Sequence, residues 1–288
     1  MLRNLLTISL LAAALTTAQA QKKFKFGVHI DPTVTFMGSN DKAVTADGSN
    51  LAFRFGMQGD IYFGENGSGE DKEKGTYALT FGVGFMAGAG GTLAYRDGGR
   101  VLPNSELDKT SYTTALNTRP SSGENLAFGA GTTVKYSVNY VPISAGFKIT
   151  TAEFGQSFIR AFFHLPTIDI LIPVSARGTI SADKPAYGTS AADSSFVYAA
   201  DKVKGENILK DINIFQFAAG VGAGVEWSPN SEGGIRLLGG IYYSSAVLDV
   251  NKKVDLFDPL ASNASEKFVT KNPRSAFQGI ALRIGVVF

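Results

Sequence analysis

The chain contains no cysteine among its 288 residues. Thiol catalysis and thiolate metal sites are excluded, and a chain of this length needs no disulfide to bury a core. Charge is sparse, at 18% of residues, and balanced, with a formal net of +2. No excess of either sign points to a nucleic acid or another polyanion. Histidine occurs only twice. Long apolar runs are also lacking. Beyond the first twenty residues nothing approaches the ~18 apolar residues that a membrane-crossing helix requires, so a helix-spanning protein is excluded. Glycine is abundant instead, at 33 residues, together with 21 Phe and 10 Tyr.

Residues 1–20 read as a signal peptide. Arg3 supplies the positive start, Leu5 to Leu15 form an apolar stretch too short to span a bilayer, and Ala18-Gln19-Ala20 places small residues where signal peptidase reads. The expected mature chain begins at Gln21 and forms one domain, 21–288. Without Arg3, 26 basic side chains stand against 25 acidic ones.

The mature sequence alternates with period two. In 51–64 one parity carries Leu51, Phe53, Phe55, Met57, Ile61 and Phe63, and the other Ala52, Arg54, Gly56, Gln58, Asp60 and Tyr62. That is a strand with one greasy and one polar or small face. Seven further segments, near 24–36, 76–89, 131–149, 157–178, 212–227, 235–249 and 276–288, behave alike. Two of them carry a proline at an apparent change of parity, which predicts a bulge. In the fourth, Val134, Tyr136, Val138 and Tyr140 are expected to face outward, with Ile143, Ala145, Phe147 and Ile149 taking over after Pro142. In the fifth, Ile159, Ala161, Phe163 and Leu165 give way after Pro166 to Ile168, Ile170, Ile172 and Val174.

Alternation alone does not say which face is outside. A soluble β-protein turns its apolar face inward, whereas a membrane barrel turns it toward lipid and must close so that no backbone edge is left unpaired. Three features favour the barrel. The links 37–50, 90–130, 179–211 and 250–275 are long, and the links 65–75, 150–156 and 228–234 are short, in strict alternation. Phe24, Phe63, Tyr77, Trp227 and Phe288 gather at the short-turn end as an interfacial girdle would. The opposite parity carries Asp31, Arg54, Asp60, Lys135, Asn139, Arg160, Asp169, Arg236 and Arg283, mixed charges suited to filling an eight-stranded lumen. The expected fold is all-β: an eight-stranded antiparallel up-and-down transmembrane β-barrel with long extracellular loops and short periplasmic turns, in the cell outer membrane.

The segment Asn139 to Lys148 (NYVPISAGFK) resembles the "YLEIPLLLK" strand of PorT-like outer-membrane β-barrel proteins. Phe24 to Val34 (FKFGVHIDPTV) resembles that family's "G-x-x-x-G" first strand, and the Gly-rich sixth strand and terminal Phe288 are also similar. Val141 replaces the usual acidic residue before the proline, and Asp31 stands in place of the second glycine. The resemblance implies a barrel whose C-terminal strand and aromatic end are read by the barrel-assembly machinery.

Few residues suggest chemistry. Gly220-Val221-Gly222-Ala223-Gly224 lacks the strand-to-helix turn of a dinucleotide loop, so small inward residues are the better account. His29 and His164 lie on the polar parity, with Arg160 on the same face as His164 and Asp169 as a conceivable carboxylate partner. The expected role of both is in a buried network rather than in catalysis. Asp249, Asn251, Asp255 and Asp258 lack the spacing and the glycine of a calcium loop and read as a solvated loop. Glu65 to Gly75 reads as a charged turn. No catalytic, cofactor or metal residue is assigned. The expected function is non-enzymatic, in structure, interaction or envelope assembly, including secretion. Expected partners are outer-membrane lipid and lipopolysaccharide, the assembly machinery, and a periplasmic or extracellular protein acting through loops such as 90–130 and 179–211. The alternatives are a barrel hydrolase acting on lipid or peptide, and a narrow channel.

Overall fold

Period-two alternation rich in aromatic and β-branched residues produces twelve strands in the computed structural model, which describes residues 24–63, 75–105, 128, 130–155, 157–181, 202–229, 234–258, 260 and 268–288. They are β1 (Phe24–Gly38), β2 (Val44–Phe63), β3 (Thr76–Tyr95), β4 (Gly99–Arg100), β5 (Thr132–Thr150), β6 (Ile159–Ser181), β7 (Lys202–Asn207), β8 (Gln216–Trp227), β9 (Arg236–Ala246), β10 (Val254–Phe257), β11 (Phe268–Lys271) and β12 (Ala276–Val287). Eight close into an antiparallel ring in the order β1-β2-β3-β5-β6-β8-β9-β12, with β12 returning to β1. Closure pairs every edge, as a backbone surrounded by hydrocarbon demands. The signal-peptide reading and most of the Glu65 to Gly75 turn lie outside the described residues.

Over the half of the ring nearest the short turns, the faces divide as the alternation predicts. Phe53, Phe55, Phe81, Val221, Ile241 and Ile284 are exposed on the outer wall, while Asp31, Asp60, Lys148, Arg160 and Glu226 are buried inside. From Phe217 to Trp227 the outward residues of β8 are apolar, a length that matches the roughly 9–11 residues of a tilted membrane strand. Phe63, Tyr77, Trp227 and Phe288 line the short-turn end on that outer face, and the ring of Phe147 lies 5.7 Å from that of Phe63 and 6.0 Å from that of Tyr77.

Parity changes at Pro166, as expected. His164 points inward, Ile168 outward, and an extra β6 residue between them breaks the register with both β5 and β8. It changes back at a second β6 bulge between Pro173 and Ser175, so that Val174 faces outward and Ala176 inward. At Pro142 the expectation fails. The even-numbered residues of β5 point inward from Thr132 to Thr150, so Val134, Tyr136, Val138 and Tyr140 are fully buried rather than outward, and Lys135 is exposed rather than inward. The face does not switch; the surroundings do. Asn139 is half-buried in the wall, accepting from the Gly88 amide at 2.9 Å and donating to Ser175 at 2.9 Å. Here β3 bulges, Ala87 and Gly88 together standing opposite the single residue Asn139 of β5, and Gly88 takes the positive φ of 75° that the bulge requires.

The long-loop end is a second correction. Strand β2 begins at Val44, so the first link is the short segment 39–43 rather than 37–50. The wall formed by β2, β3, β5 and β6 continues past the apolar belt, pairing as far as Val44–Tyr95, Tyr95–Thr132 and Thr133–Ser181, and β7 then extends it from β6. On the other side β8 and β9 stop at the Ala218–Ala246 pair. The remaining segments fold over the mouth: β11, β10 and β4 form a small sheet, and the residues before β8 bridge to those after β9 through Ile212–Asn251.

Candidate functional site: a plugged lumen under a folded cap

From the short turns outward, the interior is stacked in three levels. In the first, β5 carries Lys148 into contact with Glu226 and to 2.8 Å from Asp60, and Arg236 reaches Glu226 at 3.3 Å. Two cations meet two anions, all almost completely buried. Arg160, assigned inward from sequence, pairs at 3.2 Å with Glu153 in the turn after β5.

The second level is also balanced. Arg283 grips Asp31 with two hydrogen bonds, from Nε at 3.0 Å and Nη2 at 2.8 Å. Arg54 donates to both oxygens of Asp169 at 3.2 Å and to Ser144 Oγ at 2.5 Å. Bidentate pairs of this kind fix orientation as well as charge, and they satisfy groups that would be costly to bury alone. A cavity of about 60 Å³ lies here, with His29, Arg54, His164, Asp169, Tyr242 and Arg283 in its lining.

Both histidines line this cavity, in network roles. His29 Nδ1 lies 2.8 Å from Asp31 Oδ1, and its ring fills the space above Gly56, where a Cβ would come within 2.4 Å of Nε2. His164 does not meet Asp169. Its Nδ1 is 2.9 Å from the Tyr242 hydroxyl, and the face of Tyr242 carries the Arg283 guanidinium at 4.0 Å. Ser144 Oγ is bound to Asp169 at 2.5 Å, not to a histidine. Among the described contacts the basic group within hydrogen-bond reach of Ser144 Oγ is the Asp169 carboxylate, which is itself held by Arg54. The sequence reading missed Lys148, Glu226, Ser144 and Tyr242. Lys148 and Glu226 stood on the inward parity of their strands, beside Phe147 and Trp227, and that was the available signal.

The third level is apolar. Val134, Tyr136 and Ile180 of the extended wall pack with Leu102, Val254 and Leu256 of the covering segments, and all are 3% exposed or less. The hydroxyls of Tyr95 and Tyr136 satisfy each other at 2.6 Å inside this core. The cap is tied together by Asp211, on a 3-10 turn at Leu209–Asp211. Its carboxylate accepts from the Asn104 backbone amide at 2.9 Å and the Asn104 side chain at 3.2 Å. Burial pushes the Asp211 carboxyl up to about 6, against the pull of those hydrogen bonds and of Lys252. The segment 249–258, expected to be a solvated loop, belongs to this cap. Asn251 is buried, Asp255 accepts from Thr270 at 2.7 Å and Asp249 from Asn272 at 2.6 Å. Among the described residues no cluster of three or more His, Asp or Glu is arranged to hold a metal.

No family model matches the chain, and no curated protein matches it. Solved structures similar to it include Neisserial surface protein A (12% identical, covering 91% of this chain and 95% of that one, TM-score 0.36). The attachment invasion locus protein Ail of Yersinia pestis is 7% identical, with 92% and 99% covered and a TM-score of 0.33. The outer membrane enzyme PagL is 13% identical, with 88% and 97% covered and a TM-score of 0.33. The architecture rests on the ring itself. An apolar belt outside and paired charges inside invert the arrangement of a water-soluble protein, and a closed β-barrel is the one all-β form able to span hydrocarbon. The chain is an outer-membrane β-barrel.

Proposed function

We infer that this barrel neither conducts nor catalyses, and that its work is done by the folded cap it holds outside the membrane. The reading rests on one observation: a buried apolar core closes the long-loop end of the lumen, above two charge-balanced layers that occupy the rest around a cavity of about 60 Å³. A pore of this strand number has little free width to begin with, and here side chains occupy it. The cap gives the protein a fixed surface, suited to a structural, interaction or envelope-assembly role with a protein partner. The PorT-like resemblance implies the barrel rather than a task, and Phe288, exposed beside the closing strand, fits the proposal that this strand is recognised by the barrel-assembly machinery.

The test has two parts. Heat-modifiability on a gel, with fractionation, is expected to give a compact, detergent-stable band in the outer-membrane fraction. Planar bilayers are expected to show no steps above background. Regular conductance steps would refute the plug. The paired substitution His29→Ala and His164→Ala is expected to leave any partner-binding phenotype intact; loss of a lipid- or peptide-cleaving activity would favour the hydrolase instead.

A further inference from the structure

Where β8 and β9 leave the barrel wall, the chain bends on both sides, at Ile214 and at Val247–Leu248. The two bends are stitched together: the Val247 amide donates to the Phe217 carbonyl at 2.7 Å, the Asn213 amide to the Val250 carbonyl at 2.9 Å, and the Asn213 side chain to the Asp249 carbonyl at 2.7 Å. They form an elbow from which the hairpin turns inward to build the cap. Its corner is greasy. Ile214 is 76% exposed, Val247 71%, Phe215 51% and Leu248 40%.

The opposite wall is different. Above the belt, the exposed outer positions of β2, β5 and β6 are Thr45, Asp47, Ser49, Lys135 and Arg177. The cap is therefore wet on the β2–β6 side and apolar on the β8–β9 side. Four large apolar side chains held in water by a rigid, hydrogen-bonded bend would be an unusual concentration for a solvated surface. They are also continuous with the lipid-facing belt, since the Phe215 ring stands edge-on to Phe217 at 5.7 Å and Phe217 belongs to that belt. One bridge further out, the Lys252 ammonium lies against the Lys210 carbonyl at 2.6 Å, and exposed Lys253 follows. Apolar residues at the boundary with basic residues just beyond is the order in which an anionic leaflet presents acyl chains and then phosphates.

We propose that this elbow is a membrane-inserted anchor, seated in the headgroup–acyl boundary of the outer leaflet and contacted by its anionic lipid, so that the cap leans on the bilayer along its β8–β9 side. The proposal rests on the membrane-spanning reading. It adds that one side of the cap, beyond the regular barrel, is also lipid-bound, which fixes how the wet β2–β6 wall is presented to a partner.

Tryptophan fluorescence tests it, because Trp227 is the only tryptophan and marks the short-turn girdle. Three full-length proteins are refolded into anionic vesicles, with or without bromine near the headgroup end of the acyl chains. One is the native chain; the second carries Trp227→Phe with Ile214→Trp; the third carries Trp227→Phe with Lys135→Trp. Trp at 214 is expected to be quenched to an extent similar to native Trp227 and to emit at shorter wavelength than Trp at 135, which stays unquenched. Quenching of native Trp227 with none at 214 overturns the anchor and leaves the barrel intact. Absence of quenching at Trp227 itself overturns the membrane reading on which the anchor depends. Exchanging Phe215→Trp for Ile214→Trp guards against a folding defect at one position and is held to the same outcomes.

Discussion

Replacing Lys148 by methionine isolates what the interior charges contribute. Lys148 is completely buried and is shared between Asp60 at 2.8 Å and Glu226. Methionine keeps the length of the side chain and removes the charge. Glu226 would keep Arg236 at 3.3 Å, but Asp60 would retain only the Gln58 amide at 3.4 Å. Removing one partner of a buried pair, and so leaving its counter-charge uncompensated, costs about 3–5 kcal/mol, well beyond what the lost attraction itself is worth. Asp60 loses its only ionic partner and Glu226 does not, so the lower half of that range, about 3 kcal/mol, is expected. The assay is urea unfolding of the refolded protein in lipid vesicles, read by gel mobility, with Lys135→Met as the control. Lys135 is exposed on the wall above the belt, so its substitution should change stability by less than about 0.5 kcal/mol. Adding Asp60→Asn to Lys148→Met removes the orphaned charge and should return about 1–3 kcal/mol. If Lys148→Met unfolds at the same urea concentration as Lys135→Met, the interior charges are not desolvated pairs and the plugged lumen is wrong.

Other outcomes follow from the same geometry. The folded Asp211 carboxyl sits at about 6, above its ordinary value of 3.8, so its contribution to stability is fully present below about pH 4 and is lost as pH rises through about 6. Hydrogen exchange of the cap amides should slow between pH 8 and 5 after correction for intrinsic rates, and Asp211→Asn should flatten that dependence; an unchanged slope in the variant would contradict the assignment. Gly224→Ala would bring a Cβ to 2.2 Å from the Gly239 carbonyl oxygen and 2.6 Å from Phe162, whereas Gly239→Ala meets nothing within 4 Å. The first should lose about 1–3 kcal/mol or fail to assemble, and the second should be silent by thermal gel shift; equal behaviour would contradict the close approach of β8 and β9. Tyr136→Phe deletes the 2.6 Å bond to Tyr95 and should lower cap stability by about 1 kcal/mol, with no effect on barrel insertion.

The eight strands, the outward face of the belt and the parity change at Pro166 were legible in the order of residues. A period of two assigns neighbours to opposite faces, and nothing local competes with it in Phe53 to Phe63 or Phe217 to Trp227. The inward placement of Asp31, Arg54, Asp60, Asp169, Arg236 and Arg283 followed from the same alternation. Which of them pair did not, because Asp31 and Arg283 lie 252 residues apart and meet only through closure of β12 on β1. The cap escaped for another reason. Val134, Tyr136, Val138 and Tyr140 are apolar because they form a protein core, and in sequence that requirement is indistinguishable from facing lipid. Alternation separates two faces of a strand; only the position of the strand above or below the membrane rim, set by its neighbours across the ring, decides which face meets hydrocarbon.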